Sequence, residues 1–207
     1  MVTGTGTEPS SGRARGPQNP DERKVVLYAL MSLDGAVDHP GRYFTGSRSG
    51  EAPEFDSVMD ENEQKVIAAQ DAVLLGRHMY DEWSQYWPNV VHQPFADFIN
   101  NVKKYVLTST PLSRGWSNSE AVAAPIEDLV RDLKARPGGD IGVHGSIQLA
   151  QSLLEAELVD ELQLVVGPAF GLPGRRLFAS IEDIRRLELL RAMPTPSGSV
   201  LLAYRVP

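Results

Sequence analysis

Three short segments carry the residues best suited to holding an anion. Leu75-Gly76-Arg77, Leu107-Thr108-Ser109-Thr110 and Val143-His144-Gly145-Ser146 each close an apolar run and lead into a helix or loop. Glycine lets a ligand come close to the main chain. A helix starting at Ser146 would turn free N–H groups and its positive dipole end toward a negative charge. The Arg77 guanidinium can fork onto phosphate oxygens with charge assistance, and Thr108 and Ser109 add hydroxyl donors. Together these groups suit a pyrophosphate and one further phosphate. Each segment taken singly is also plain turn chemistry, because Gly after a strand and Ser at a helix start are common for structural reasons. Three of them within about 70 residues are what point to function.

The standard nucleotide signatures are absent: no G-x-G-x-x-G follows a strand and no G-x-x-x-x-G-K-[ST] occurs. The chain has no cysteine, which removes disulfides, thiolate nucleophiles and Cys-ligated zinc and fits a reducing cytoplasm. His39, His78, His92 and His144 show no H-x-x-x-H spacing, so no metal is expected. The net charge of −7 repels nucleic acid. Lys103-Lys104 and Arg185-Arg186 are only pairs, expected at exposed positions. No stretch of 18 apolar residues exists to span a membrane, and the first 22 residues lack the apolar core of a secretory signal.

The elements that must position these segments can be read from hydrophobic pattern. Residues 1–23 are rich in Gly, Thr, Ser, Pro and Arg and are expected to form a disordered tail, with one folded domain over 24–207. Buried strands are expected at 25–31, 72–75, 102–108, 140–144 and 162–166. Helices are expected at about 54–70, 78–86, 94–101, 125–135 and from Ser146 onward. A long loop between 35 and 53 is expected to be functional or mobile. The segments 187–193 and 199–205 read as a closing hairpin around Pro196-Ser197-Gly198. The fold class that follows is α/β: a three-layer α-β-α arrangement on a mostly parallel sheet with an antiparallel C-terminal hairpin. The exposed edge of that hairpin favours a homodimer. Trp83, Tyr86 and Trp87 recur near helical spacing and read as core or interface residues.

The ordered set of motifs resembles the dihydrofolate-reductase-like superfamily, in particular the reductase domain of bacterial riboflavin biosynthesis. The matching segments are 29–35, 74–80, 139–146, 153–154, 158–162 and Gly171 to Phe178, so the resemblance covers about residues 24–206. It implies NADPH as hydride donor to a pterin-like or pyrimidine-like substrate. Gly76, Arg77 and His78 would face the 2′-phosphate, with Thr108 and Ser109 on that phosphate or the ribose. Gly145, Ser146 and Ile147 would cradle the pyrophosphate, and the Ser32–Asp34 segment would border nicotinamide and substrate. The family keeps a carboxylate on the helix before the Gly-Arg strand, which falls here on Asp60. An apolar pocket would raise its pKa, as a general acid needs. Asp34 is the competing candidate, and its plain role is a turn residue before Gly35. The sequence departs from the family pattern at His144-Gly145, where members have Gly-Gly, and at Gly171-Leu172-Pro173-Gly174, which is one residue longer. A His at 144 is expected to narrow the pyrophosphate site or add a partner to it. No accompanying deaminase domain fits in 207 residues. The alternative to a reductase is a catalytically silent ligand-binding module on the same fold.

Overall fold

The computed structural model describes residues 22–44, 53–90, 94–112, 114–171 and 173–207. The elements in chain order are β1 (Val25–Ser32), α1 (Ser57–Ala68), β2 (Gln70–Gly76), α2 (Arg77–Tyr86), α3 (Phe95–Asn101), β3 (Lys103–Leu107), β4 (Ser119–Val122), α4 (Ile126–Lys134), β5 (Asp140–His144), α5 (Ile147–Glu155), β6 (Glu161–Gly167), β7 (Glu188–Pro194) and β8 (Val200–Arg205). The sheet order is β4-β3-β2-β5-β1-β6-β8-β7. The strands from β4 to β6 run parallel to one another. β8 returns antiparallel to β6, and β7 pairs antiparallel on β8 as the edge.

The strand period of two sorts the core into two sides. Val25, Leu27, Leu74, Ile141 and Val143 meet Leu129, Val130 and Leu133 of α4 and Leu149 and Leu153 of α5. On the other face, Val73, Leu75 and Val106 pack under Tyr80 of α2 and Phe95 and Ile99 of α3. Tyr28, Val165 and Leu201 pack under Met59 of α1. This is the expected three-layer α/β architecture with its mostly parallel sheet and antiparallel C-terminal pair.

Some expectations need correction. The expected tail lies outside the described residues except for its end, and Arg23 belongs to the fold. It is buried, its Nε donates to Gly139 O at 2.7 Å, its Nη1 reaches Leu133 O, and it pairs with Asp71. Lys104 is fully buried rather than exposed. Its ammonium caps the end of α3, donating to Ile99 O and Val102 O at 2.8 Å each, and lies 4.6 Å from the centre of the Trp116 ring. Helix C-terminal carbonyls attract a cation, and an aromatic face does the same. The long loop is partly outside the described residues, but Pro40–Arg42 within it forms a 3-10 turn. α1 starts at Ser57 because Asp56 caps it, its Oδ1 accepting from Val58 N and Met59 N at 3.0 Å.

Candidate functional site

The sheet order brings the three segments singled out in the sequence to the carboxyl ends of adjacent strands, with β3, β2 and β5 side by side. Ligands of open α/β sheets bind beyond such strand ends. Gly76 and Ser146 are tied directly: Gly76 N donates to Ser146 Oγ at 3.0 Å. Ser146 is therefore the N-cap of α5 by position, yet its hydroxyl makes no capping bond. No acidic residue stands in the first turn of α5, where Ile147 is the first helical residue. The unmet N–H groups of that turn are thus left for another acceptor. Gly145, the residue before the cap, has φ +66°. A Cβ there would lie 2.6 Å from Cζ2 of Trp83 and 3.2 Å from Sδ of Met79, so α2 is seated directly on this turn.

Arg77 opens α2 beside this point. Its Nε donates to Asp81 Oδ2 at 2.8 Å, and its Nη1 donates to Thr110 Oγ1 at 2.6 Å and Pro111 O at 3.1 Å. Thr108 shares that turn, its Oγ1 lying 3.1 Å from Thr110 Oγ1 and accepting from Thr110 N at 3.2 Å. Arg77 and Thr108 are thereby joined through Thr110, a residue whose role the strand-end pattern did not assign. Ser109 is exposed next to Thr108. His78 is not drawn into the group: its side chain is 85% exposed and its Nδ1 lies 3.8 Å from Glu82.

The end of β1 lies two strand positions from β2, across β5. Ser32 Oγ donates to Asp34 Oδ1 at 2.6 Å and accepts from Ala36 N at 2.9 Å. Asp34 Oδ2 accepts from Gly171 N at 3.1 Å and from Arg176 Nη2 at 2.9 Å. The Ser32 hydroxyl, then the Gly171 amide and the Arg176 charge, hold the Asp34 carboxyl below its usual range. Asp38 is clasped by Arg175 at 2.8 Å in the same way, so two ion pairs fasten the segment after β1 to the loop after β6. Asp34 is accordingly an ionised tether between loops.

Asp60 sits in the first turn of α1 with its Oδ1 sealed from solvent. Glu63, one turn further, is 7% exposed. Burial, reinforced by the charge of Asp60, pushes its carboxyl up to about 7. Tyr28 stands on the facing side of β1, and its phenol is pushed up by burial, then by Glu63 and by Asp60. Glu63 had a sequence signal: with Met59 and Ile67 it falls on the helical stripe that α1 buries.

His144 behaves differently from expectation. Its ring turns away from the α5 end of the turn and into the layer beneath α3. There its Nε2 meets Gln70 Oε1 at 2.8 Å, and its ring packs on Tyr28, Phe95 and Phe98 at 5.7, 5.4 and 6.0 Å. Burial drives its pKa down to about 3, so the ring is neutral. Trp83 and Trp87 join the same aromatic layer through Phe95. Among the described residues no group of His, Cys, Asp and Glu is placed to hold a metal, and no helix is long and apolar enough to cross a membrane.

A mostly parallel eight-stranded sheet covered by helices and closed by an antiparallel C-terminal pair defines a three-layer α/β protein. The chain belongs to the RibD C-terminal domain family, whose model matches residues 23–201. It is 25% identical over 192 residues to the uncharacterised protein YyaP of Bacillus subtilis, covering 90% of this chain and 96% of that one. Among solved structures it is similar to a protein of Shewanella sp. PV-4 assigned to riboflavin biosynthesis (TM-score 0.67, 16% identity, 89% of this chain and 99% of that one). It is also similar to the deaminase/5-amino-6-(5-phosphoribosylamino)uracil reductase of Thermotoga maritima (TM-score 0.62, 14% identity), where the match covers 90% of this chain and 57% of that one. At these identities the likeness to solved structures is one of fold.

Proposed function

We propose that this protein is an NADPH-dependent reductase acting on a C=N bond of a small pterin-like or pyrimidine-like heterocycle. The observation that carries the reading is the Gly76–Ser146 bond, which sets an uncapped helix N-terminus beside Arg77 and Thr108 at three adjoining strand ends. These residues fit a dinucleotide with an extra phosphate. Gly145, Ser146 and Ile147 would hold the pyrophosphate on main-chain N–H groups. Gly76, Arg77, Thr108 and Ser109 would hold the 2′-phosphate. Strands are about 4.8 Å apart, so the end of β1 lies roughly 10 Å from that of β2. That displacement suits the reactive ring of an extended dinucleotide.

NADPH supplies the hydride when bound. The protein positions the reactants, excludes water and provides one proton. Asp60 is the proton donor in this reading, because its carboxyl is sequestered against Tyr28 and Glu63. Asp34 is engaged by Ser32, Gly171 and Arg176 and is kept ionised, so it serves the loop rather than the reaction.

Titration of the purified protein with NADPH, followed by nicotinamide fluorescence, tests the proposal, and absence of binding at millimolar cofactor rejects it. Binding without oxidation across pterins, ribosylamino-pyrimidines and flavins would favour the silent module. Arg77→Ala removes a charged hydrogen-bond donor of the kind that contributes about 1.5–3 kcal/mol, so NADPH should bind roughly 10- to 100-fold more weakly. NADH, which lacks the 2′-phosphate, should change little. An equal loss for both cofactors would exclude the phosphate role of Arg77.

We also propose that a second copy covers the outer edge of the sheet. Leu189 and Leu190 are 55% and 41% exposed on β7, an edge strand whose outer side carries no further strand among the described residues, the arrangement proteins usually cover or blunt. Light scattering should return a dimer mass; a monomer at tens of micromolar ends that proposal.

A further inference from the structure

Asp60 and Glu63 are one turn apart on α1, and residues three apart on a helix are neighbours. Met59, Glu63 and Ile67 are buried, so Glu63 faces the sheet. Across from them the Tyr28 side chain is 6% exposed, and its hydroxyl has no hydrogen-bond partner among the described residues. A buried polar group left unmet is uncommon, so this hydroxyl marks a place where a partner is expected. Both carboxyl groups act electrostatically on Tyr28, which puts the three groups in one cluster.

The charged and titratable groups on the elements around α1 have contacts of their own. Arg191 reaches α1 from β7 but is engaged by Asn62 and Gln163. Lys65, on the exposed side of α1, pairs with Glu61 at 3.9 Å. His144 of β5, 5.7 Å from the Tyr28 ring, is neutral. Glu161 of β6 accepts from Gln163 and pairs with Lys24. Two like charges in an apolar layer resist simultaneous ionisation, and their protons then belong to the pair.

We infer that Asp60 and Glu63 hold one proton between them at neutral pH, and that Glu63 is the positioning residue that keeps Asp60 supplied with it. The inference rests on reading Asp60 as the acid of the site. The Asp60 O–H bond breaks as the N–H bond forms on the substrate nitrogen. That leaves both carboxyl groups ionised, and their mutual repulsion draws one proton from solvent hydronium onto Glu63, which passes it to Asp60. The elevated titration of Glu63, near 7, is what such a pair would give.

The test uses the full chain without cofactor, labelled with ¹³C at its Glu and Asp carboxyl carbons, titrated by NMR between pH 4 and 9. One Glu resonance should titrate near 7 and be absent in Glu63→Gln. In Asp60→Asn, which keeps the shape and removes the charge, the same resonance should move down by about one pH unit. A Glu63 resonance in the ordinary carboxylate range, or one unmoved by Asp60→Asn, overturns the shared proton. NADPH titrations of the same samples separate this result from the functional reading. Glu63→Gln should bind the cofactor as the wild type does. Failure of the wild type to bind would reject the reductase reading, and with it the role of Glu63 toward Asp60, while the carboxyl titration reports on the shared proton independently.

Discussion

Gly145→Val is expected to lower the stability of the folded protein by about 2–5 kcal/mol, measured as a shift of the urea unfolding midpoint at constant slope. Two costs add. Gly145 has φ +66°, a conformation that costs an L-residue about 1–2 kcal/mol and is worst for a β-branched one. The new Cβ would also fall 2.6 Å from Cζ2 of Trp83 and 3.1 Å from its Cη2. The indole has little freedom to yield, because Trp87 and Phe95 meet it edge-on at 5.7 and 5.8 Å. Overpacking of this kind costs about 1–3 kcal/mol. Trp83→Leu in the Gly145→Val background should recover the packing part and leave the backbone part, so the double-mutant cycle should show coupling of about 1 kcal/mol or more. Additive effects would mean that the indole does not limit this turn. The result matters for function because the same turn presents Ser146 to Gly76 and starts α5.

Most of the frame was legible because its signals were strong and local. β1 and β2 contain short continuous apolar runs, β6 is broken only by Gln163, and each meets Gly or Asp within three residues of its end, the pattern of short buried strands. β4 was not legible: Ser119-Glu120-Ala121-Val122 has neither an apolar run nor an alternating pattern, and it is held by pairing with β3 at the sheet edge. Lys104 was misread because charge is a good guide to exposure only when no helix end lies within reach. Among site residues, Gly76, Arg77, Thr108, Gly145 and Ser146 could be grouped because strand ends of a parallel sheet converge. His78 follows Arg77 in sequence but points elsewhere, since successive helical residues diverge by about 100°. The partners of Asp34, at Gly171 and Arg176, are too distant in sequence for any local pattern to pair them. His144 illustrates the same limit: position 144 follows Val143 on β5, and the period of two sends its side chain to the opposite face from Val143.

That placement makes His144 and Glu63 opposing contributors to the pH dependence of stability. The His144 pKa is lowered by burial from 6.5 to about 3, so the unfolded chain takes up this proton first. Its contribution is intact above about 6.5 and is lost as the pH falls toward 3. Glu63 is raised from 4.5 to about 7, so the folded chain holds this proton more tightly. Its contribution is intact below about 4.5 and is lost as the pH rises toward 7. Each unit of difference is about 1.4 kcal/mol, so between pH 6.5 and 4.5 each group should move the unfolding free energy by roughly 2–3 kcal/mol, with opposite sign. The wild type should therefore show a shallow dependence there from these two groups. His144→Phe fits the ring layer of Phe95 and Phe98 but leaves Gln70 Oε1 without its donor, costing about 1–3 kcal/mol at pH 7. Relative to wild type, this variant should gain stability steadily on acidification from 6.5 to 4.5, while Glu63→Gln should lose it over the same window. Parallel curves for all three proteins in urea titrations at pH 6.5, 5.5 and 4.5 would show that neither group titrates inside the fold as its burial requires.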